Sequence, residues 1–172
     1  IRRLKEDLDT PYFPKRELHE LTVTYAEKEI EIHNLLKKYV KLRSGKSANF
    51  GLDFIHKLLK KRLFSSPRAF GATLTKHIET LNKGKKKKKK IKENIVLKAI
   101  QKAEENFADD SEAEEATENA IEYATEMSEP LTSEENDILN QLKKWANESE
   151  NRSDSKSNAI LKWLNEHLRT NG

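Results

Sequence analysis

With 172 residues, of which 36% are charged and 35% hydrophobic, the chain has room for one domain whose apolar side chains must be concentrated on helix faces. Cysteine is absent, which excludes disulfides and thiolate metal sites, and no apolar run reaches the roughly 18 residues that a membrane span requires. Residues 1–102 contain 27 basic and 11 acidic side chains while residues 103–142 contain 14 acidic and no basic ones, so an anionic partner would favour the first part.

The composition predicts a mainly α fold. Five glycines and four prolines are few for this length, and the helix-favouring residues Lys, Glu, Leu and Ala are abundant. We expect an irregular helical bundle with one short N-terminal strand and a mobile basic and acidic insert. The lack of cysteine fits a soluble, cytoplasmic segment, and a chain that starts at Ile1 is expected to be a fragment of a longer protein.

The first eight residues predict a short helix. Ile1, Leu4 and Leu8 fall on one helical stripe, and the basic pair Arg2 and Arg3 lies beside it. Two prolines shortly afterwards are expected to end this helix.

A strand and a longer helix are predicted next. Leu21, Val23 and Tyr25 alternate with polar residues, which is the pattern of a half-buried strand. Thr24 and Glu27 have the capping-box spacing, which predicts that a helix begins there. The apolar positions of that helix are Ile32, Leu35, Leu36, Tyr39 and Val40.

The following helix is predicted to be apolar on one face and basic on the other. Its apolar positions are Leu52, Ile55, Leu58, Leu59 and Leu63. Its basic positions are Lys57, Lys60, Lys61 and Arg62. Ser66 and Pro67 suit the N-cap and first position of a third helix, and Gly84 suits its C-terminal cap. The buried stripe of the third helix is predicted at Phe70, Leu74, Ile78 and Leu81.

Residues 1–82 are therefore predicted to form one helical unit, and residues 83–130 a charged, partly disordered insert. The lysines from Lys85 to Lys90 repel one another, which favours an extended segment. One more helix is suggested at Ile91, Ile95, Ile100 and Phe107. In the acidic region that begins near Asp109, one helix face could be lined by Ala113, Ala116, Ala120, Ala124 and Met127. Because alanine buries little area and acidic residues are dense, we expect mobility there.

Residues 131–172 predict a helical hairpin. Thr132 and Glu135 repeat the capping-box spacing at the start of its first helix. That helix has apolar positions Ile138, Leu139, Leu142 and Trp145. The second has Ile160, Leu161, Leu164 and Leu168.

No catalytic motif is complete. Gly45, Lys46 and Ser47 form a triplet that lacks the earlier glycine and the preceding strand of a phosphate-binding loop, and an ordinary turn explains it. The five histidines show no metal-ligand spacing. Carboxylate pairs such as Asp109 and Asp110 lie in a stretch expected to be solvated. We therefore predict neither catalytic nor metal nor cofactor residues in this segment.

Two basic clusters could bind phosphates. The run from Lys85 to Lys90 has no interleaved aromatic for base stacking, so a flexible solvated linker is the competing interpretation. The cluster on the second helix is better placed, since its apolar face anchors it, although plain solvated surface is an equal alternative. The residues predicted to contact DNA are Arg2, Arg3, Lys57, Lys60, Lys61, Arg62 and Arg68.

Several segments resemble SWI/SNF-type DNA helicases and translocases of superfamily 2. Residues 1–5 resemble the Arg-Arg-x-Lys element that follows the first RecA-like lobe in that family. Pro14-Lys15-Arg16, the alternating strand and the Glu- and Leu-rich helix then follow in the family's order. The run from Leu58 to Phe70 is similar to bacterial members, including the helicase of the DISARM phage-defence system. Asp154-Ser155-Lys156 and the apolar positions after it resemble the helix that leads into the second lobe.

The resemblance implies that this chain is the non-catalytic helical segment between the two RecA-like lobes of an ATP-dependent motor. Its implied partners are DNA and the flanking lobes, with no membrane, while ATP and Mg would belong to the parent protein. Residues 83–135 match nothing in the family.

Two alternatives stay open. One is an independent helical nucleic-acid-binding module, and the other is a partner-binding scaffold whose acidic region mimics DNA or grips a basic protein. Walker motifs upstream and a second RecA-like lobe downstream would distinguish the motor segment from both.

Overall fold

The computed structural model describes residues 18–44, 50–84, 92–105, 107–126 and 128–168, which fold into seven α-helices. The helices are α1 (Glu27–Ser44), α2 (Phe50–Ser65), α3 (Pro67–Gly84), α4 (Glu93–Ala103), α5 (Asp110–Glu126), α6 (Ser133–Ser149) and α7 (Ser155–Leu168). The predicted mainly α fold is confirmed. None of these helices is long and apolar enough to cross a bilayer.

Helices α1 to α6 pack around one apolar core. α2 lies centrally and contacts α1, α3, α4 and α5, while α6 closes the bundle against α1 and α3. The core side chains are Ile32, Leu36, Tyr39, Ile55, Leu59, Phe70, Leu74, Ile78, Leu81, Val96, Ile121, Ala124, Ile138, Leu139, Leu142, Trp145 and Ala146. Each large apolar side chain that is fully buried stabilises the fold by roughly 1.5–3 kcal/mol.

Two of the three predicted helix starts are confirmed. The Oγ of Ser66 accepts a hydrogen bond from the backbone N–H of Ala69 (3.1 Å) at the start of α3. At the start of α6, the Glu135 N–H donates to Thr132 Oγ1 (3.3 Å) and the Thr132 N–H donates to Glu135 Oε2 (2.8 Å). These two bonds form the complete capping box.

The predicted capping box of α1 is wrong by two residues. The backbone N–H of Ala26 donates to Glu29 Oε2 (2.9 Å), so Glu29 rather than Glu27 reaches back to the helix start. Glu29 is also the carboxylate that meets the start of α7, where it accepts from the Ser155 N–H, and this second contact favours the later register.

The predicted strand at Leu21 to Tyr25 is also wrong. Within the described residues, 18–26 form neither helix nor strand. A strand needs a neighbouring strand to complete its backbone hydrogen bonds, and residues 18–26 instead run along helix α7. The ring of His19 lies 5.4 Å from that of Trp163. At the other end, the Ala26 N–H donates to Ser155 Oγ (3.1 Å).

Helix α5 belongs to the core, contrary to the expectation that the acidic stretch buries little. Its buried positions are Ala116, Ala120, Ile121, Ala124 and Thr125. The small alanines permit close approach: a Cβ added to Gly51 of α2 would lie 3.2 Å from the backbone of Ala124. Alanine thus contributes to packing by bringing helices together rather than by its own area. In the preceding α4, Val96 is buried and Ile95 is exposed, unlike the predicted stripe.

Helix α7 stands apart from the bundle. No described Cα of α1 to α6 lies within 8 Å of a Cα of α7. Two positions of its predicted apolar face are exposed, Ile160 at 39% and Leu161 at 52%, while Leu164 is partly buried. The predicted N-terminal helix, the Gly45–Ser47 turn and the lysine run all lie outside the described residues.

Candidate nucleic-acid interface

The apolar face of α2 determines which of its basic side chains reach solvent. Ile55 and Leu59 are completely buried. Because that face points inward, Lys57, Lys60 and Lys61 are exposed. α2 therefore presents a lysine face away from the core.

Helix α1 lies beside α2 and adds two lysines to this surface. Lys37 and Lys41 are exposed and one helical turn apart, because Leu36 and Tyr39 point into the core. The two helices form a groove of about 270 Å³, which we call the α1–α2 groove. Its rim carries Lys37, Lys41, Lys57 and Lys60, and its floor consists of Leu36, Val40, His33 and His56.

The floor of the groove contains two imidazoles whose pKa values lie below the ordinary value. Burial lowers the pKa of His33, and the charges of Lys37 and Lys60 lower it further. Burial lowers the pKa of His56 to about 4 from its ordinary 6.5. Both rings are therefore neutral at neutral pH. Within the described residues, neither ring's Nε2 atom has a hydrogen-bond partner.

The remaining lysine of the predicted cluster borders a different groove. Lys61, together with Lys57, lines a groove of about 550 Å³ between α2 and α4. Asp53 and Glu104 also line it, so carboxylates there offset the lysine charges.

The structure separates the two predicted arginines from the lysines. Arg62 and Arg68 line a third groove, of about 290 Å³, which they share with Glu118 of α5. The Nε atom of Arg68 lies 3.7 Å from a carboxylate oxygen of Glu150. Arg2 and Arg3, the other predicted DNA contacts, lie outside the described residues.

Sequence reasoning missed Lys37 and Lys41. The signal was present, because the two lie four residues apart opposite the apolar stripe of α1. What the sequence could not show is that α1 packs beside α2 and so adds these lysines to those of α2. The adjacent Lys38 points elsewhere, with its Nζ 2.7 Å from Glu134 Oε1 of α6.

A second group of polar side chains is sealed inside the bundle. The Tyr39 hydroxyl and His77 Nε2 are 2.8 Å apart, and His77 Nδ1 lies 2.9 Å from Thr125 Oγ1. Burial lowers the pKa of His77 to about 3 and raises the pKa of the Tyr39 hydroxyl far above its ordinary range. Tyr39 of α1, His77 of α3 and Thr125 of α5 thus link three helices. Because Tyr39 and His77 are completely buried, a substrate cannot reach them.

A buried ion pair lies at the end of α1. Arg43 Nη1 is 3.4 Å from Glu135 Oε2, and Arg43 Nη2 donates to the backbone carbonyl of Glu129 (2.9 Å). Since Glu135 also caps α6, this pair connects α1 to the start of α6. Burying a charge without its partner is costly, so each member requires the other.

Among the described residues, no three His, Asp or Glu side chains converge as they would around a metal ion. Comparison of the chain with protein-family models, with curated proteins and with solved structures finds no match.

Proposed function

We propose that this chain is the non-catalytic helical segment between the two RecA-like lobes of an ATP-dependent, SWI/SNF-type DNA helicase or translocase. In this proposal it contacts the DNA backbone and couples the movements of the lobes, and the flanking lobes bind ATP and Mg.

The observation that carries the proposal is the pairing of residues 18–26 with α7. His19 contacts Trp163 at one end of α7, and Ala26 contacts Ser155 at the other. The chain therefore approaches and leaves the α1–α6 bundle along the same side, as a protrusion between two lobes requires. Exposed apolar side chains lie along this pair, namely Leu18, Leu21, Ile160 and Leu161, and a packed lobe would cover them.

The α1–α2 groove supports the DNA contact. Lys37, Lys41, Lys57 and Lys60 lie around one concave surface, and lysines bind phosphates irrespective of base sequence. Such contacts suit a motor that moves along DNA, because they add affinity without favouring one position.

The direct test is the coding sequence on either side of this chain. The proposal expects a G-x-x-x-x-G-K-[ST] loop after a strand upstream, and a RecA-like lobe downstream. Flanking sequences that contain neither would overturn it.

The groove also favours a second candidate, an independent nucleic-acid-binding module, because the α1–α6 bundle has a continuous core of its own. That candidate expects full DNA affinity from the isolated chain and flanking sequences without motor motifs.

A further inference from the structure

The α1–α2 groove is more than a lysine patch, because its floor is apolar. Leu36 and Val40 lie one helical turn apart, about 6 Å along α1. A duplex presents phosphates on its outside and keeps its bases paired within, so it would contact the lysines and leave the floor empty. An apolar floor below a basic rim suits a ligand that carries a flat apolar group next to its negative charges.

We propose that the α1–α2 groove binds single-stranded DNA, with its lysines on successive phosphates and one unpaired base against the floor. This inference rests on the proposed function and specifies the form of DNA that this surface recognises.

The charge of the rim matches a single strand. Lys37 and Lys41 follow one another along α1, and Lys57 and Lys60 face them from α2. The described residues that line the groove include no carboxylate. Asp53 is close enough to act on His56 but does not line the groove. Phosphates on one strand can therefore contact the lysines of both walls, which gives an affinity that falls with salt.

The floor matches a base in size and chemistry. At about 270 Å³ the groove is slightly smaller than the roughly 300–1,000 Å³ of pockets for drug-sized ligands, so it suits one ring system. His33 is half-buried and its ring is packed 5.1 Å from that of Phe64, which holds it in place beside the groove. Imidazole rings are among the side chains on which unpaired bases stack.

An acidic amphipathic helix is the competing occupant, and the aliphatic part of the floor is too short for it. Such helices insert apolar side chains from two or more successive turns. The apolar floor, Leu36 and Val40, spans a single turn.

The test measures binding of the 172-residue chain to three fluorescent probes by anisotropy at several salt concentrations. The probes are a mixed-sequence single strand, an abasic strand of equal length and a blunt duplex of that length. The inference predicts that the base-bearing strand binds at least about fivefold more tightly than the abasic strand, which is the lower end of base stacking. His33→Ala should remove this preference, whereas His33→Phe should keep it.

Charge variants examine the rim separately. Lys37→Ala with Lys41→Ala should weaken binding to both single strands and reduce the salt slope by about 0.7 for each phosphate that is no longer neutralised. Lys98→Ala with Lys102→Ala is the matched control, because these two lysines are also exposed and one turn apart, on α4. It should leave the slope unchanged.

Equal affinity for the base-bearing and abasic strands would overturn the inference. If the duplex then binds as tightly as the two single strands, and the Lys37→Ala, Lys41→Ala variant binds the duplex more weakly, the proposed contact with the DNA backbone is retained and the base site is rejected. If none of the probes binds even at low salt, the DNA contact itself fails. If polyglutamate displaces the base-bearing strand as readily as unlabelled DNA does, the groove accepts any polyanion, and a specific site for unpaired bases is excluded.

Discussion

Inside the bundle, His77 determines how the core responds to acid, because its ring touches Tyr39 and Thr125 and is completely buried. His56 lies nearby, with its ring 6.0 Å from that of Tyr39. The positive charge of Arg43 opposes the protonation of both histidines, whereas the carboxylate of Asp53 favours that of His56 and partly offsets the effect of burial on its pKa. Helical periodicity did not identify His56 and His77 as buried, because it locates the inward face of a helix from apolar side chains and these two are polar.

Acid should therefore destabilise the fold through these two residues. Burial lowers the pKa of His77 to about 3 and the pKa of His56 to about 4, whereas both titrate near 6.5 in the unfolded chain. Below pH 6.5 the unfolded chain takes up protons that the folded chain cannot. The free energy of unfolding is thus highest above this pH and should fall by about 1.4 kcal/mol per pH unit for each histidine.

Urea denaturation monitored by circular dichroism, from neutral pH down to about pH 5 where carboxylates still contribute little, measures this slope. His77→Gln should lower stability at neutral pH and flatten the slope. An unfolding free energy that is the same at both ends of this range would show that neither imidazole is held neutral.

Among the helices, α7 is joined to α1 by one carboxylate. Glu29 Oε1 accepts a hydrogen bond from the Ser155 N–H (3.1 Å), and Glu29 Oε2 accepts one from the Ser155 hydroxyl. The same carboxylate accepts from Ala26 at the start of α1. Glu29 therefore holds the first turns of α1 and α7 together.

Replacing Glu29 by alanine should release α7 while the bundle stays folded. Amide hydrogen exchange in residues 155–168 should accelerate, because no described Cα of the bundle helices lies within 8 Å of this helix. Exchange in α3 should not change. Glu31→Ala removes an exposed carboxylate from the same helix and serves as the control. Equal exchange in α7 for both variants would contradict the role of Glu29.

The two close helix crossings predict different tolerance of an added methyl group. A Cβ at Gly51 would lie 3.2 Å from Ala124 backbone atoms, whereas a Cβ at Gly71 would lie 3.2 Å from only the Ala146 side chain. Gly51→Ala should therefore lower the thermal midpoint more than Gly71→Ala, since overpacking costs about 1–3 kcal/mol when the neighbour cannot move. Calorimetry compares them, and the reverse order would contradict the close α2–α5 contact.

Helical periodicity predicted the inward faces of α1, α2, α3 and α6 because large apolar side chains mark them. For α5 the periodicity placed Ala116, Ala120 and Ala124 on one face, but the small area of alanine led us to expect mobility. The sequence did not show that this face packs by close approach to Gly51, a partner distant in sequence. Periodicity failed for residues 18–26, where the alternation of Leu21, Val23 and Tyr25 gave no indication that the neighbour would be a helix. For the α1–α2 groove, the sequence predicted the lysines of α2. It did not predict the contribution of Lys37 and Lys41, because this depends on the packing of α1 beside α2.

At the scale of the whole molecule, the basic and acidic parts of the sequence lie on different surfaces. The acidic stretch folds as α5 against α2 and α3, where Lys76 Nζ lies 2.8 Å from Glu118 Oε2. The α1–α2 groove is lined by none of these acidic residues, so its lysines stay available to an anion. A net charge of only +4 therefore conceals a strongly basic concave surface.

The most direct test of the proposed DNA contact is the salt dependence of DNA binding by three proteins. The first is the unchanged chain, and the second carries alanine at the four groove lysines, Lys37, Lys41, Lys57 and Lys60. The third carries alanine at four exposed lysines elsewhere, Lys83, Lys98, Lys102 and Lys144.

The groove variant should bind duplex DNA more weakly at low salt, because it neutralises fewer phosphates. Its salt slope should fall by about 0.9 for each phosphate that is no longer neutralised, with unchanged stability. The third protein should keep the slope of the unchanged chain. Equal slopes for the groove variant and the third protein would show that the groove is not where this chain meets DNA.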